Sequence, residues 1–365
     1  VHAFRRLQNL QTVVINASGY NPVTGEDRTA EIKFSNAEFW TCPELLSVDM
    51  SKSNVTQVGD NCFTSCSKLH TVLFSSNIKK ITAPFTGCSS LTTISSLQSL
   101  ETLGGFYGSK ITGDIKLYNI TSMGTNAFRD TNITSVDFGN ATITSLPERA
   151  FQDCKSLTRA VLPEGLQVVG PLAFSGASSL SDMNIPRGIK RLENNAFWGP
   201  IFGGDIVLDN LEYMGEHAFR GTQIRSLVIK GTLTSLNTNA AFYGCSQLEY
   251  LVLPDSVTTS GGYTFDGCNK LKYIVCSDAY VSVTSKPANA SLIVRGTNYE
   301  AMSAWGWQAV PFSQYDPTSS AKNKIYYGAI ATDDPTVLVD FTGFDKSFGT
   351  WNATTNAKTT YDAVV

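Results

Sequence analysis

The sequence predicts a repeat solenoid of the α/β type, mostly β, on three observations. Phenylalanine recurs at a near-constant interval, at Phe39, Phe63, Phe85, Phe106, Phe128, Phe151, Phe174, Phe197, Phe219, Phe242 and Phe265, with spacings of 24, 22, 21, 22, 23, 23, 23, 22, 23 and 23. Each recurrence opens a similar phrase. After Phe151 come the small Cys154, then Leu157, then the apolar run Ala160-Val161-Leu162, and close copies follow Phe63, Phe242 and Phe265. A longer period lies over the short one: Phe106 and Phe197, Phe128 and Phe219, Phe151 and Phe242, and Phe174 and Phe265 are each 91 residues apart. A block of four coils was duplicated. Periods of 20–29 residues mark leucine-rich repeats, whose coils stack one strand per turn into a right-handed superhelix. The expectation is one short parallel strand per 22–23-residue coil.

The parts of a coil follow in order. In Leu157-x-x-Ala160-x-Leu162 the inward positions alternate, which is strand periodicity. A Pro or polar turn follows, as at Pro163, Pro186 and Pro254. A second inward apolar residue precedes a Gly corner, as in Val168-Val169-Gly170 and Tyr213-Met214-Gly215. The next Phe buries the largest area of its turn, and the stacked rings are expected to form an aromatic spine. No coil buries its face alone, so the ends need caps.

Along the chain, residues 1–276 are read as about twelve coils, the first anchored at Phe4, with an insertion at 16–38. Residues 277–312 are read as a capping segment and 313–323 as a linker. Residues 324–365 alternate aromatic and β-branched residues (Ile325-Tyr326-Tyr327, Val337-Leu338-Val339-Asp340-Phe341, Phe348-Gly349-Thr350-Trp351), the pattern of a small C-terminal all-β module. It reads either as an appendage leaning on a neighbour or as the start of a larger sandwich. The chain opens at Val1 without Met, so a mature or trimmed form is expected.

Composition narrows function by exclusion. With 42% hydrophobic and 16% charged residues the chain has ample core and is not of the disordered class. A net charge of −3 provides no basic field for a phosphate backbone, so nucleic acid is an unfavoured partner. No run reaches the ~18 apolar residues of a membrane-spanning helix.

Chemistry-bearing patterns are sparse. Cys42, Cys66, Cys88, Cys154, Cys245 and Cys268 each follow an anchor Phe by three, where other coils carry Ser109, Thr131, Ala177 or Thr222. A slot filled by Cys, Ser, Thr and Ala is small and buried. It reads as a ladder of packed free thiols, although Cys66 and Cys88 lie on consecutive coils, where a disulfide is conceivable. Side chains stacked in register rarely present its dihedral. His2, His70 and His217 lie on different coils with no nucleophile at short spacing, and no phosphate loop or zinc motif occurs. Asp114 and Asp205 each follow a Gly but are 91 residues apart, about four coils, too far for a glycosidase pair. The expectation is a non-enzymatic chain with no catalytic, cofactor or metal site.

What remains is surface. Outward strand positions run Val14, Asp49, Leu73, Ser95, Lys116, Asp137, Val161, Asn184, Val207, Val228, Val252 and Val275. The last four, with Tyr250 and Tyr273 beside them, read as an exposed apolar stripe and a binding candidate, or as simple β-propensity. Trp40, Tyr107, Trp198 and Tyr243, each directly after its anchor Phe, are a second candidate set, for stacking on sugar faces or for packing between coils. Seven Asn-x-Ser/Thr triplets, at Asn16, Asn54, Asn119, Asn132, Asn140, Asn289 and Asn352, are glycosylation sequons or a by-product of an Asn/Thr-rich repeat.

The Phe-x-x-Cys-x-x-Leu phrases and Leu-Pro turns such as Val252-Leu253-Pro254-Asp255-Ser256-Val257 resemble the BspA-like leucine-rich repeats over roughly residues 2–312. Ser291-Leu292-Ile293-Val294-Arg295-Gly296, Tyr299 and Trp305-Gly306-Trp307 resemble that family's closing segment, with Arg295 where Pro is common. The resemblance implies a secreted or cell-surface protein of adhesin type, binding a protein or carbohydrate through its repeat surface. A structural or self-assembling component and a glycan-binding accessory protein are the alternatives. It fixes the scaffold and leaves the ligand open.

Overall fold

In the computed structural model the structure describes residues 4–16, 31–236, 240–277, 279–280, 290–295, 308–311, 314 and 324–329. The chain divides into two compact units, Val1–Pro186 and Arg187–Val365. Each is a parallel β-solenoid, and no described residue is α-helical.

The first unit carries two ladders. The main one holds the predicted strands Thr12–Val14, Ser47–Asp49, Thr71–Leu73 and Thr93–Ile94, in that order, and then a second sheet of Thr112–Lys116, Asn132–Asp137, Arg159–Val161 and Asp182–Met183. A further short strand stands where the second inward residue of each coil was read. These form their own parallel ladder, from Ile32–Asn36 and Val55–Asp60 through Lys80–Ile81 and Thr102–Leu103 to Ser122–Met123. Each coil therefore closes with two strands, which adds a second set of inter-coil hydrogen bonds to the one expected. The Gly corners follow from this closeness. A Cβ on Gly170 would lie 2.6 Å from the Leu146 oxygen, and one on Gly215 2.5 Å from the Asn194 nitrogen.

In the second unit the main ladder runs Gly203–Leu208, Gln223–Ile229, Tyr250–Val252, Tyr273–Ser277, Ser291–Arg295, Lys324–Ala329 and Gln308–Pro311. Residues 324–329, expected in a separate module, sit between 291–295 and 308–311 in this sheet, with Ile325 opposite both Leu292 and Ala309. The reading of 330–365, of 296–307, of the linker at 313–323 apart from residue 314, and of insertion residues 17–30 falls outside the described residues.

The spine is present in both units. Phe4, Phe39, Phe63, Phe85, Phe106, Phe128, Phe151 and Phe174 stack with neighbouring centroids 5.0–5.7 Å apart. In the second unit Phe197, Phe219, Phe242 and Phe265 follow at 5.6–6.1 Å. Each ring arrives at the interval of one strand spacing plus tilt. Corner geometry fixes where it enters. The residue two before the anchor takes positive φ even when it is not glycine: Asn61 (57°), Arg149 (56°), Asn195 (58°), His217 (54°) and Tyr263 (58°). Ser65, Asp130, Asp153 or a glycine does the same two residues after it. Left-handed non-glycine residues are costly singly. Their return at one position of every such corner shows that coil stacking imposes them.

Candidate functional site

The outward faces of the main ladders differ between the two units. Over residues 47–184 of the first the outward row is partly exposed and mostly polar, with Leu73 and Val161 as its apolar members. Asp49 accepts from the Ser51 amide (2.8 Å) and hydroxyl (2.6 Å), which hold its carboxyl below the usual range. Asp114 accepts from Ser135 (2.7 Å) and Thr134 (2.9 Å), and those two hydroxyls lower its pKa likewise. Asp137 lies opposite both Lys116 and Val161, and accepts from the Tyr118 hydroxyl (3.1 Å) and the Gly139 amide (2.8 Å). Arg159 pairs with Asp182 on the neighbouring strand. Asn184 completes the row by bonding both the Leu162 amide (2.6 Å) and carbonyl (2.9 Å), in place of a strand. A cleft of 280 Å³ opens in this face, lined in part by Ser95, Ser96, Gln98, Asp114 and Lys116.

Over residues 203–329 the outward face of the second unit's ladder is apolar and closed. Val228, Val252 and Val275 are 0%, 1% and 1% exposed, and Tyr250 is 3% exposed, so the stripe expected to be a binding surface is core. Val207 and Tyr273 are half-buried against it. The row goes on through Ile293, Tyr326 and Val310, all buried. Alternation along a strand shows which residues face the solenoid interior. It carries no information on what lies over the other face, and here both faces are covered. Tyr250 and Tyr273 stack at 6.1 Å, and Lys272 rests over Tyr250 while bonding Glu249 at 2.6 Å.

The second candidate set lies at the coil corners. Tyr107, Trp198 and Tyr243 are exposed, and Trp40 is half-buried. Each ring has a guanidinium over a face: Arg5 and Arg6 over Trp40 (4.4 and 5.3 Å), Arg129 over Tyr107 (5.2 Å), and Arg220 over both Trp198 (5.1 Å) and Tyr243 (4.6 Å). His217 also stacks on Trp198 at 6.0 Å, and its pKa is lowered by burial and by Arg220. Each guanidinium comes from a neighbouring coil and packs against its ring, the inter-coil packing that was one of the two readings of this set. The arginines were missed because each was read singly. The signal was present, since Arg129 and Arg220 follow their anchor Phe directly and are 91 residues apart, as are Tyr107 and Trp198.

Cys42, Cys62, Cys66, Cys88, Cys154, Cys245 and Cys268 are free, buried thiols, and Cys276 is buried on its strand. The slot has a reason beyond size. Cys66, Cys88, Cys154, Cys245 and Cys268 donate S–H to the carbonyl of the preceding coil's anchor Phe at 2.9–3.2 Å. Ser109, Thr131 and Thr222 in the same slot turn their hydroxyls to their own Phe carbonyl. Burial pushes Cys66 and Cys245 up to about 12 and Cys154 to about 11, which leaves no thiolate at neutral pH. Among the described residues no three His, Cys, Asp or Glu side chains gather as a metal site.

The sequence matches a family described as BspA type leucine rich repeat region, in six copies, over residues 2–112, 83–201 and 205–289. No curated protein matches it. Among solved structures, a leucine-rich repeat protein from Bacteroides ovatus ATCC 8483 is similar over 82% of this chain and 86% of that one, at 19% identity and a TM-score of 0.51. The pneumococcal vaccine antigen PcpA aligns over 89% and 84%, at 14% identity and a TM-score of 0.40. A leucine rich cell surface protein from Faecalibacterium prausnitzii A2-165 aligns over 88% and 89%, at 18% identity and a TM-score of 0.32.

Proposed function

The chain belongs to the BspA-type leucine-rich repeat family, and from that premise we propose that it is a non-enzymatic, secreted or cell-surface binding protein of adhesin type. Its ligand is a protein held on the outward strand face between residues 47 and 184. The observation that supports this reading is the contrast between the outward faces of the two units: mostly polar and at least partly exposed from Asp49 to Asn184, apolar and closed from Val228 onward. Binding needs no chemistry at such a face. It needs shape, and side chains of both signs at fixed spacing on several adjacent strands, which Lys116, Asp137, Arg159 and Asp182 supply. Arg220 packs between the coils against both Trp198 and Tyr243, which assigns these rings to inter-coil packing in this reading.

The test is a screen of the full chain against arrays of extracellular proteins and of glycans, repeated with Lys116→Glu plus Arg159→Glu and with Trp198→Ala. The expected outcome is a protein hit weakened at least tenfold by the charge reversal and unchanged by Trp198→Ala. A hit, protein or glycan, lost on Trp198→Ala and kept by the charge reversal would place the site at the coil corners and overturn this reading.

A further inference from the structure

We infer, on the reading that the outward face of the first unit holds a protein ligand, that the cleft beside strand 112–116 takes an arginine side chain of that ligand. The cleft lies where the main ladder breaks. Strand 93–94 closes one sheet of this unit and strand 112–116 belongs to the next. The Thr112 amide still bonds the Thr92 carbonyl at 3.0 Å, and the Phe85 and Phe106 rings stay stacked at 5.3 Å. The coils are therefore packed inside while their outward strands stand unladdered. The shortest interval between anchors, the 21 residues from Phe85 to Phe106, falls here. The strand that follows carries Gly113 at a φ of 85° and a register shift against strand 132–137.

Asp114 lines this cleft with one oxygen occupied. Thr134 (2.9 Å) and Ser135 (2.7 Å) both donate to Oδ1, which fixes the carboxylate, and no described group bonds Oδ2. The duplication supplies the comparison, since the residues 91 positions on are Asp205, Arg225 and Ser226. Ser226 again donates to Oδ1 (2.7 Å), and Arg225 donates to Oδ2. Where that copy holds a guanidinium of its own, the smaller Thr134 leaves the equivalent oxygen to be met from outside. A planar guanidinium is the donor that matches a carboxylate edge. At 280 Å³ the cleft falls just below the about 300–1,000 Å³ of sites that enclose a whole small molecule. That suits one side chain carried by a larger partner. Ile94, Leu97 and Ile115 give its methylenes an apolar wall, and Ser96 and Gln98 add polar groups at the mouth. Lys116, two residues along the same strand, opposes a second cation and attracts an anion. Residues two apart in an extended chain share a side at about 6.6 Å, the interval from Asp114 to Lys116. The segment recognised is therefore extended, with a carboxylate two residues from its arginine.

The experiment applies the full chain to an array of surface-bound heptapeptides carrying Arg-x-Glu or Glu-x-Arg at the centre, with citrulline in place of Arg and Gln in place of Glu as controls. Binding to the arginine peptides is expected to exceed that to the citrulline peptides at least tenfold. Asp114→Asn should abolish the preference, and so should Thr134→Arg, which copies Arg225 and fills Oδ2 in cis. No preference for arginine, or one that survives both substitutions, would overturn the inference. A protein ligand lost on Lys116→Glu plus Arg159→Glu but kept by Asp114→Asn and Thr134→Arg would overturn it while leaving the outward-face reading in place. A ligand lost only on Trp198→Ala would remove both. If Thr134→Arg does not fold, the near-isosteric Asp114→Asn decides alone.

Discussion

The duplicated halves, coils 106–174 and 197–265, are one structure inside and two outside. Interior positions are preserved in kind. Thr131 and Cys154 both bond the Phe128 carbonyl, at 2.7 and 2.9 Å, and 91 residues later Thr222 and Cys245 bond that of Phe219, at 2.8 and 3.0 Å. Outward positions have gone separate ways. Lys116, Asp137, Val161 and Asn184 correspond to Val207, Val228, Val252 and Val275. The ion pair Arg159–Asp182 corresponds to the stacked pair Tyr250–Tyr273. Asp114 and Asp205 keep one equivalent hydroxyl donor, Ser135 and Ser226 at 2.7 Å each, and differ in the other partner, Thr134 against Arg225. The difference teaches that coil stacking constrains the interior position by position, whereas the outward face answers to whatever meets it: solvent in one copy, apolar neighbours in the other.

The largest effect should come from Val252→Lys against Val161→Lys, the same substitution at equivalent strand positions. Val252 is 1% exposed, so the lysine buries an unpaired charge and should cost about 3–5 kcal/mol. Val161 is half-buried beside solvent, and a lysine there can extend its ammonium outward, at under about 1 kcal/mol. Denaturant titration of both variants reads the difference directly. Equal losses would break the comparison, because they would mean that the two outward faces are covered alike.

A smaller contrast is expected one row over. Tyr273→Ala removes a half-buried ring stacked on Tyr250 and should cost about 1–2 kcal/mol. Its counterpart Asp182→Ala breaks an exposed ion pair with Arg159, and solvent screening keeps its cost below about 0.5 kcal/mol. Thermal unfolding of the two variants separates these outcomes. If Asp182→Ala proves the more damaging, the polar face is organised for stability, and its role as a free surface fails.

Legibility divided along the same line. The anchor phenylalanines, the small slot, the strand positions and the duplication could all be read because each is a local constraint repeated eleven times. The second strand ladder and the left-handed corners at Arg149, His217 and Tyr263 were harder, since those residues give no sign of positive φ and only the alignment of coils exposes it. The fate of Val228, Val252 and Val275 was not legible from their own coils. A valine that faces water and a valine that is covered obey the same alternation, so the alternation does not decide between them. The guanidinium planes on Tyr107 and Trp198 fall between these cases, visible as a 91-residue echo yet not as a contact.

The smallest expected difference is none, and it tests whether the halves diverge only on the outside. Cys154 and Cys245 are fully buried equivalents, pushed by desolvation to about 11 and about 12 from an ordinary thiol value of 9.0. In the unfolded chain both thiols ionise near that ordinary value. Their contribution to stability is therefore fully present below about pH 9 and is lost as pH rises toward the folded values, because the unfolded state releases its protons first. Stability should fall on the alkaline side, and Cys154→Ala and Cys245→Ala should each flatten that fall by a similar share. At pH 8 an alkylating reagent should reach neither thiol in the native chain, and should reach both at the rate of unfolding. Faster native labelling of Cys245 than of Cys154 would show that the closed outward face of the second half comes with a looser interior, and the wider spine spacing there, up to 6.1 Å against 5.7 Å, would be its structural trace.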